Sequence, residues 1–129
     1  MPVEVLLIED NEGDWRLIQQ ITSQSTVTVR TTVVPTCATA LAILAEGRCV
    51  PNLIISDMSI PGAAAPELLK RCNAMDIPVV VFSGSVNAAH RVEALRLGVK
   101  EIVEKPYTID EFTTVLWNLI WKWTARERS

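Results

Sequence analysis

Residues 53–62 read LIISDMSIPG. Three apolar side chains run straight into Ser56 and Asp57, and a Pro-Gly turn follows at 61–62. The first half has the composition of a buried strand. Its carboxylate stands where such a strand leaves the core. An Asp in a turn is common, so the meaning of Asp57 depends on what the other strands carry at the same end.

Five β-rich apolar runs alternate with helical patterns along the chain. The strands are expected at 3–8, 27–33, 52–56, 78–82 and 100–103. The first, third and fourth are nearly continuous in Val, Ile and Leu, as strands covered on both faces are. The second alternates, with Val27, Val29 and Thr31 on one side and Thr28, Arg30 and Thr32 on the other. That pattern belongs at or near a sheet edge.

Helices are expected at 13–24, 36–46, 65–74, 86–97 and 108–125. Leu17, Ile18 and Ile21 mark the first, and Ala40, Leu41, Ile43 and Leu44 the second, which Thr36 opens and Gly47 closes. Leu68 and Leu69 mark the third; Val92, Leu95 and Leu97 mark the fourth, closed by Gly98. In the last, Ile109, Phe112, Leu116, Leu119 and Trp123 form the expected core stripe, and Thr108 with Glu111 reads as a capping box. Five β-α alternations predict an α/β sandwich with a parallel sheet. Residues 1–129 are expected to be one domain, with no linker, repeat or output module.

Bulk properties exclude several function classes. Hydrophobic residues make up 49% of the 129, which argues for a packed core. No apolar run approaches the roughly 18 residues of a membrane span, and MPVEVLLIED lacks the basic start of a secretory signal. Cys37, Cys49 and Cys72 are odd in number and lack CxxC spacing, which suits a reducing cytoplasm. The net charge of −3 and the lack of a basic block argue against nucleic acid. His90 falls on a helix away from the acids and reads as a surface residue.

Ligands of open parallel sheets sit beyond the carboxyl ends of the strands. Those ends carry Glu9-Asp10, Asp57, Ser83-Gly84-Ser85 and Lys105-Pro106; only the second strand, ending in Val33-Val34-Pro35, is inert. Two unit charges about 4 Å apart repel by about 4 kcal/mol at an effective dielectric near 20. Three carboxylates on one rim therefore call for cations. Oxygen-only ligands suit Mg²⁺, and Lys105 adds a fixed charge. Together with the Ser83 hydroxyl they form a receptor for a tetrahedral anion, in which Asp57 is a phosphoryl acceptor or a ligand to bound phosphate.

The segments VLLIEDN (5–11), LIISDMSIP (53–61), VVVFSGS (79–85) and EKP (104–106) resemble the receiver domain of bacterial two-component response regulators. The resemblance covers essentially the whole chain. It implies a flavodoxin-like (βα)5 doubly wound fold with strand order 2-1-3-4-5. It implies that Asp57 is the phosphoacceptor and that Mg²⁺ is held by Glu9, Asp10, Asp57 and the backbone carbonyl of Ser59. Ser83 and Lys105 would contact the phosphoryl group, and the Lys105–Pro106 bond would be cis. A histidine kinase or phosphotransfer protein would be the donor.

EDNEGD (9–14) and the aromatic-rich last helix are similar to the small stand-alone regulators that partner phytochrome-type histidine kinases. Two positions depart from the family pattern: Ala65 replaces a Gly, and Ile102 replaces the switch aromatic.

Other readings of this fold fit less well. A flavodoxin-type cofactor protein needs a Gly/Ser/Thr-rich loop after the first strand, where this chain has two acids, and no GxxxxGK[ST] is present. A Mg²⁺-dependent phosphatase with an Asp nucleophile needs a general acid nearby, whereas Met58 and Ser59 follow Asp57, and no cap segment is visible. A degenerate receiver acting only as an interaction module normally lacks a key residue, whereas all five residue types are present here. Output is expected through an unidentified downstream protein or a homodimer. Trp117 and Trp121, spaced i, i+4 on the last helix, would form the dimer face.

Overall fold

A computed structural model describes residues 2–57 and 64–125. The elements follow in strict alternation: β1 (Val3–Ile8), α1 (Glu12–Ser23), β2 (Val29–Val34), α2 (Cys37–Glu46), β3 (Leu53–Ser56), α3 (Ala64–Ala74), β4 (Val79–Ser83), α4 (Ala88–Arg96), β5 (Glu101–Glu104) and α5 (Ile109–Trp123). The five strands form one parallel sheet in the order β2-β1-β3-β4-β5, as expected. β2 is an edge strand, in keeping with its alternating sequence.

The order follows from connection geometry. β-α-β crossovers are almost always right-handed. The step from β1 to β2 runs one way along the sheet, and the steps β2–β3, β3–β4 and β4–β5 run the other way. The helix of the first step therefore covers one face, and α2, α3 and α4 cover the opposite one. α5 joins α1.

The cores confirm this division. Val3, Val5, Leu7, Leu53, Ile55, Val80 and Phe82 pack with Ile18 and Ile21 of α1 and with Phe112, Leu116, Leu119 and Ile120 of α5. Leu6, Ile8, Ile54, Val79 and Val81 pack with Cys37, Ala40 and Leu44 of α2 and with Leu68, Leu69 and Cys72 of α3. Successive strand residues serve opposite faces, so both parities must be apolar. That is why β1, β3 and β4 are continuous runs of Val, Ile and Leu.

Caps fix the helix ends. Asn11, Thr36, Asn87 and Thr108 each accept the backbone N–H three residues on, and Gly47 closes α2 at a positive φ of 71°. The Thr108 side chain accepts from the Glu111 amide at 3.2 Å, one arm of the expected capping box. Cys37, Cys49 and Cys72 are free thiols.

Four local expectations are corrected. β2 begins at Val29, two residues late, and Val27 is exposed. On α4, Val92 and Leu95 point outward at 66% and 47% exposure, while Ala94 and Leu97 make the contact with the core. That helix offers two apolar stripes, and the smaller one faces the sheet. Ile109 is 67% exposed because it sits in the first turn of α5, before the helix reaches the core. Among the described residues there is no cis peptide bond, so Lys105–Pro106 is trans.

Candidate functional site

The sheet order reverses between β1 and β3, and there the adjacent strand ends open a crevice. Ile8 is paired with Ser56, and the Asp57 amide donates to the Ile8 carbonyl at 3.1 Å. Asp57 is therefore tied to the end of β1 beside Glu9. On its other side, Ser83 ends β4 paired with Glu104, and the Lys105 amide donates to the Ser83 carbonyl at 2.7 Å. Backbone pairing thus sets out Glu9, Asp57, Ser83 and Lys105 across the rim.

The side chains converge on Asp57 and Lys105. The Ser83 hydroxyl donates to Asp57 Oδ1 at 3.0 Å, and Lys105 Nζ lies 3.7 Å from Asp57 Oδ2. Lys105 Nζ also donates to Glu9 Oε1 and to Asp14 Oδ2, each at 2.8 Å. The Asn11 amide donates to Glu9 Oε2 at 3.2 Å. Ser83 is buried at 3% exposure and Glu9 at 2%.

Burial sets the electrostatics. Desolvation pushes the Glu9 carboxyl above its ordinary value, against the pull of Lys105 and the Asn11 amide. Burial also works against the Lys105 ammonium, but the hydrogen bonds to Asp14 and Glu9 outweigh it and raise its pKa. Lys105 is thus held charged among acids.

Asp10 follows Glu9 at the end of β1 and has no hydrogen bond or ion pair to Lys105. It is exposed, whereas its neighbour Glu9 turns inward. Among the described residues, no three His, Cys, Asp or Glu side chains are grouped to hold a metal ion. Ser59, expected to lend its carbonyl, lies outside the described residues, as does the Pro61-Gly62 turn. The chemistry of the donor set still fits a small hard cation. Glu9, Asp14 and Asp57 oppose a single ammonium at this rim, Asp10 adjoins Glu9, and all their donor atoms are oxygen.

Sequence reading gave Asp14 no role in the site, yet it makes one of the two shortest contacts to Lys105. The signal was present in EDNEGD: Asn11 caps α1 and accepts from the Asp14 amide at 2.9 Å, which puts Asp14 in the first turn beside the rim. His90 is exposed, as expected, and its amide is capped by Asn87 at 2.8 Å.

Beyond Asp57, a cavity of about 340 Å³ lies between the sheet and helices α3 and α4, bordered by Leu68, Val81, Ala94 and Leu97. No residue of α4 is buried, so this helix is seated lightly. Ile102 is buried at 8% exposure and packs in the core on the same side of the sheet.

On α5, the Trp117 and Trp121 rings stack at 4.9 Å and are half-buried. They border a groove with Ile21, Gln24 and Thr113, packing toward the end of α1. Trp123 donates its indole N–H to Glu101 at 2.8 Å. No helix among the described residues is long and apolar enough to cross a membrane.

Comparison with known proteins agrees with this layout. The family model described as the response regulator receiver domain matches residues 5–116. Response regulator Rcp1 of Synechocystis sp. is 32% identical over 95 residues, covering 67% of this chain and 65% of that protein. The phosphorylated cyanobacterial phytochrome response regulator RcpA superposes with a TM-score of 0.82 at 26% identity, covering 95% of this chain and 94% of its own. The Mn²⁺-bound form of Rcp1 gives a TM-score of 0.79 at 26% identity, with 95% of both chains covered. Against three longer curated regulators the chain spans only 22% to 46% of their length.

Proposed function

The chain belongs to the response regulator receiver domain family, and from that premise we propose that Asp57 is its phosphoacceptor. Receiver domains serve phosphoacceptor signalling in two-component systems. The observation that carries the assignment is the bracketing of Asp57 by the Ser83 hydroxyl at 3.0 Å and the Lys105 ammonium at 3.7 Å. A carboxylate oxygen of Asp57 attacks the phosphorus of a phosphohistidine. The phosphorus–nitrogen bond breaks, and the imidazole leaves with the bonding pair. Charge builds on the equatorial oxygens during transfer, and positioned cationic and hydroxyl donors stabilise it.

Glu9, Asp10, Asp57 and the Ser59 carbonyl would hold Mg²⁺, which supplies charge neutralisation at the phosphoryl oxygens. The chain's own residues do the rest. Ser83 orients Asp57, and Lys105 supplies positive charge that Glu9 anchors from the buried side. Reduction of the phosphorylated protein with borohydride, followed by peptide mapping, should place the modification at residue 57. A modified residue elsewhere contradicts the assignment.

The donor is a histidine kinase or phosphotransfer protein of the cytoplasm. The chain has no catalytic turnover beyond its own phosphorylation and dephosphorylation. The lightly seated α4 favours a signal read through changed protein contacts over a phosphatase of fixed geometry. A homodimer through Trp117 and Trp121 is the proposed output. Sedimentation as a monomer at micromolar concentration in both phosphorylation states would rule that out and leave the pair with its packing role against α1.

A further inference from the structure

The Lys105 ammonium has three protons to donate. Two are committed, to Glu9 Oε1 and to Asp14 Oδ2, each at 2.8 Å. The separation of 3.7 Å from Asp57 Oδ2 is too long for a hydrogen bond. The resting lysine therefore leans away from the residue it is meant to serve, and Asp14 is the side chain that draws it there.

The two committed partners differ in how firmly they hold. The Glu9 side chain is 1% exposed and that of Asp14 is 36% exposed. A buried ion pair resists separation because the charge left behind has no water. A pair open to solvent yields at little cost. When new negative charge arrives on Asp57, Glu9 keeps its bond and Asp14 is the contact that gives way.

We propose that Asp14 is a positioning residue that competes with Asp57 for Lys105, weakening the lysine's contact with a phosphoryl group and so favouring return to the resting state. This rests on the reading of Asp57 as phosphoacceptor. The position of Asp14 is fixed by α1: Asn11 accepts its amide at 2.9 Å, so the carboxylate starts from a capped, ordered turn.

The test uses beryllofluoride, a tetrahedral mimic of the phosphoryl group, titrated in Mg²⁺ and followed by fluorine NMR. Asp14→Asn should bind it up to about fivefold more tightly than wild type, the range set by a solvent-exposed ion pair. Asp14→Glu, which can still reach the ammonium, should return to wild-type affinity. In a Lys105→Ala background, Asp14→Asn should bring no gain. Unchanged or weaker binding by Asp14→Asn overturns the proposal. So does an equal gain with and without Lys105, which would mean repulsion of the anion by Asp14 through space. Failure of the wild type to bind beryllofluoride would instead overturn the phosphoacceptor reading itself.

Discussion

Lys105 Nζ lies 2.8 Å from Glu9 Oε1, across 96 positions of sequence, and neither side chain is more than 8% exposed. This pair joins the end of β1 to the end of β5 and closes the rim around Asp57. Removing one partner of a buried pair leaves the other charge without solvent.

Lys105→Met should therefore destabilise the fold by about 3–5 kcal/mol, as measured by urea unfolding at neutral pH. The raised pKa of Lys105 adds a pH signature. The ammonium's contribution is fully present below the ordinary lysine value of 10.5 and is lost as pH rises through the higher folded value. From neutral pH upward, the gap between wild type and Lys105→Met should narrow only in that alkaline range. A gap that closes on going from about pH 7 to about pH 10 would contradict the ion-pair account.

Glu9→Gln should behave in the opposite sense. Burial raises the Glu9 carboxyl above its ordinary 4.5, so the folded state holds that proton more tightly than the unfolded chain does. Stability from this group is lost as pH rises from 4.5 through the folded value. Without added metal, the variant should gain relative to wild type across that window, seen as a rising difference in Tm. A difference that falls over the same window would reverse the assignment.

Ser83→Ala removes the hydroxyl that donates to Asp57 Oδ1. A hydrogen bond to a charged group is worth about 1.5–3 kcal/mol. Phosphorylation by a small-molecule donor should slow by roughly tenfold or more if that bond persists in the transition state. An unchanged rate would remove Ser83 from the site.

Packing gives a contrast between two helices. Leu116 of α5 is fully buried, and Leu116→Ala should cost about 2–5 kcal/mol. Val92 and Leu95 of α4 are exposed, and their Ala variants should stay within about 0.5 kcal/mol of wild type. Equal losses would mean that α4 turns its larger stripe inward.

The architecture was legible because β1, β3 and β4 must be apolar on both faces, and few sequences look like that by accident. The site was legible because four of the strand ends carry the chemistry. Three features were hidden. Asp14 acts through a contact 91 positions away, which helix capping hints at but does not specify. On α4, the competing stripes Val92/Leu95 and Ala94/Leu97 share the same i, i+3 spacing, and the tertiary fit chose the smaller. Glu9 and Asp10 are adjacent, and the chain direction that buries one and exposes the other is set by β1, not by residue type.

Intact mass after exposure to acetyl phosphate tests the central claim most directly. Wild type in Mg²⁺ should gain the mass of one phosphoryl group, while wild type in EDTA and Asp57→Asn in Mg²⁺ should gain none. A phosphoryl group retained on Asp57→Asn, or added equally well in EDTA, would contradict the assignment of Asp57 as a metal-assisted phosphoacceptor.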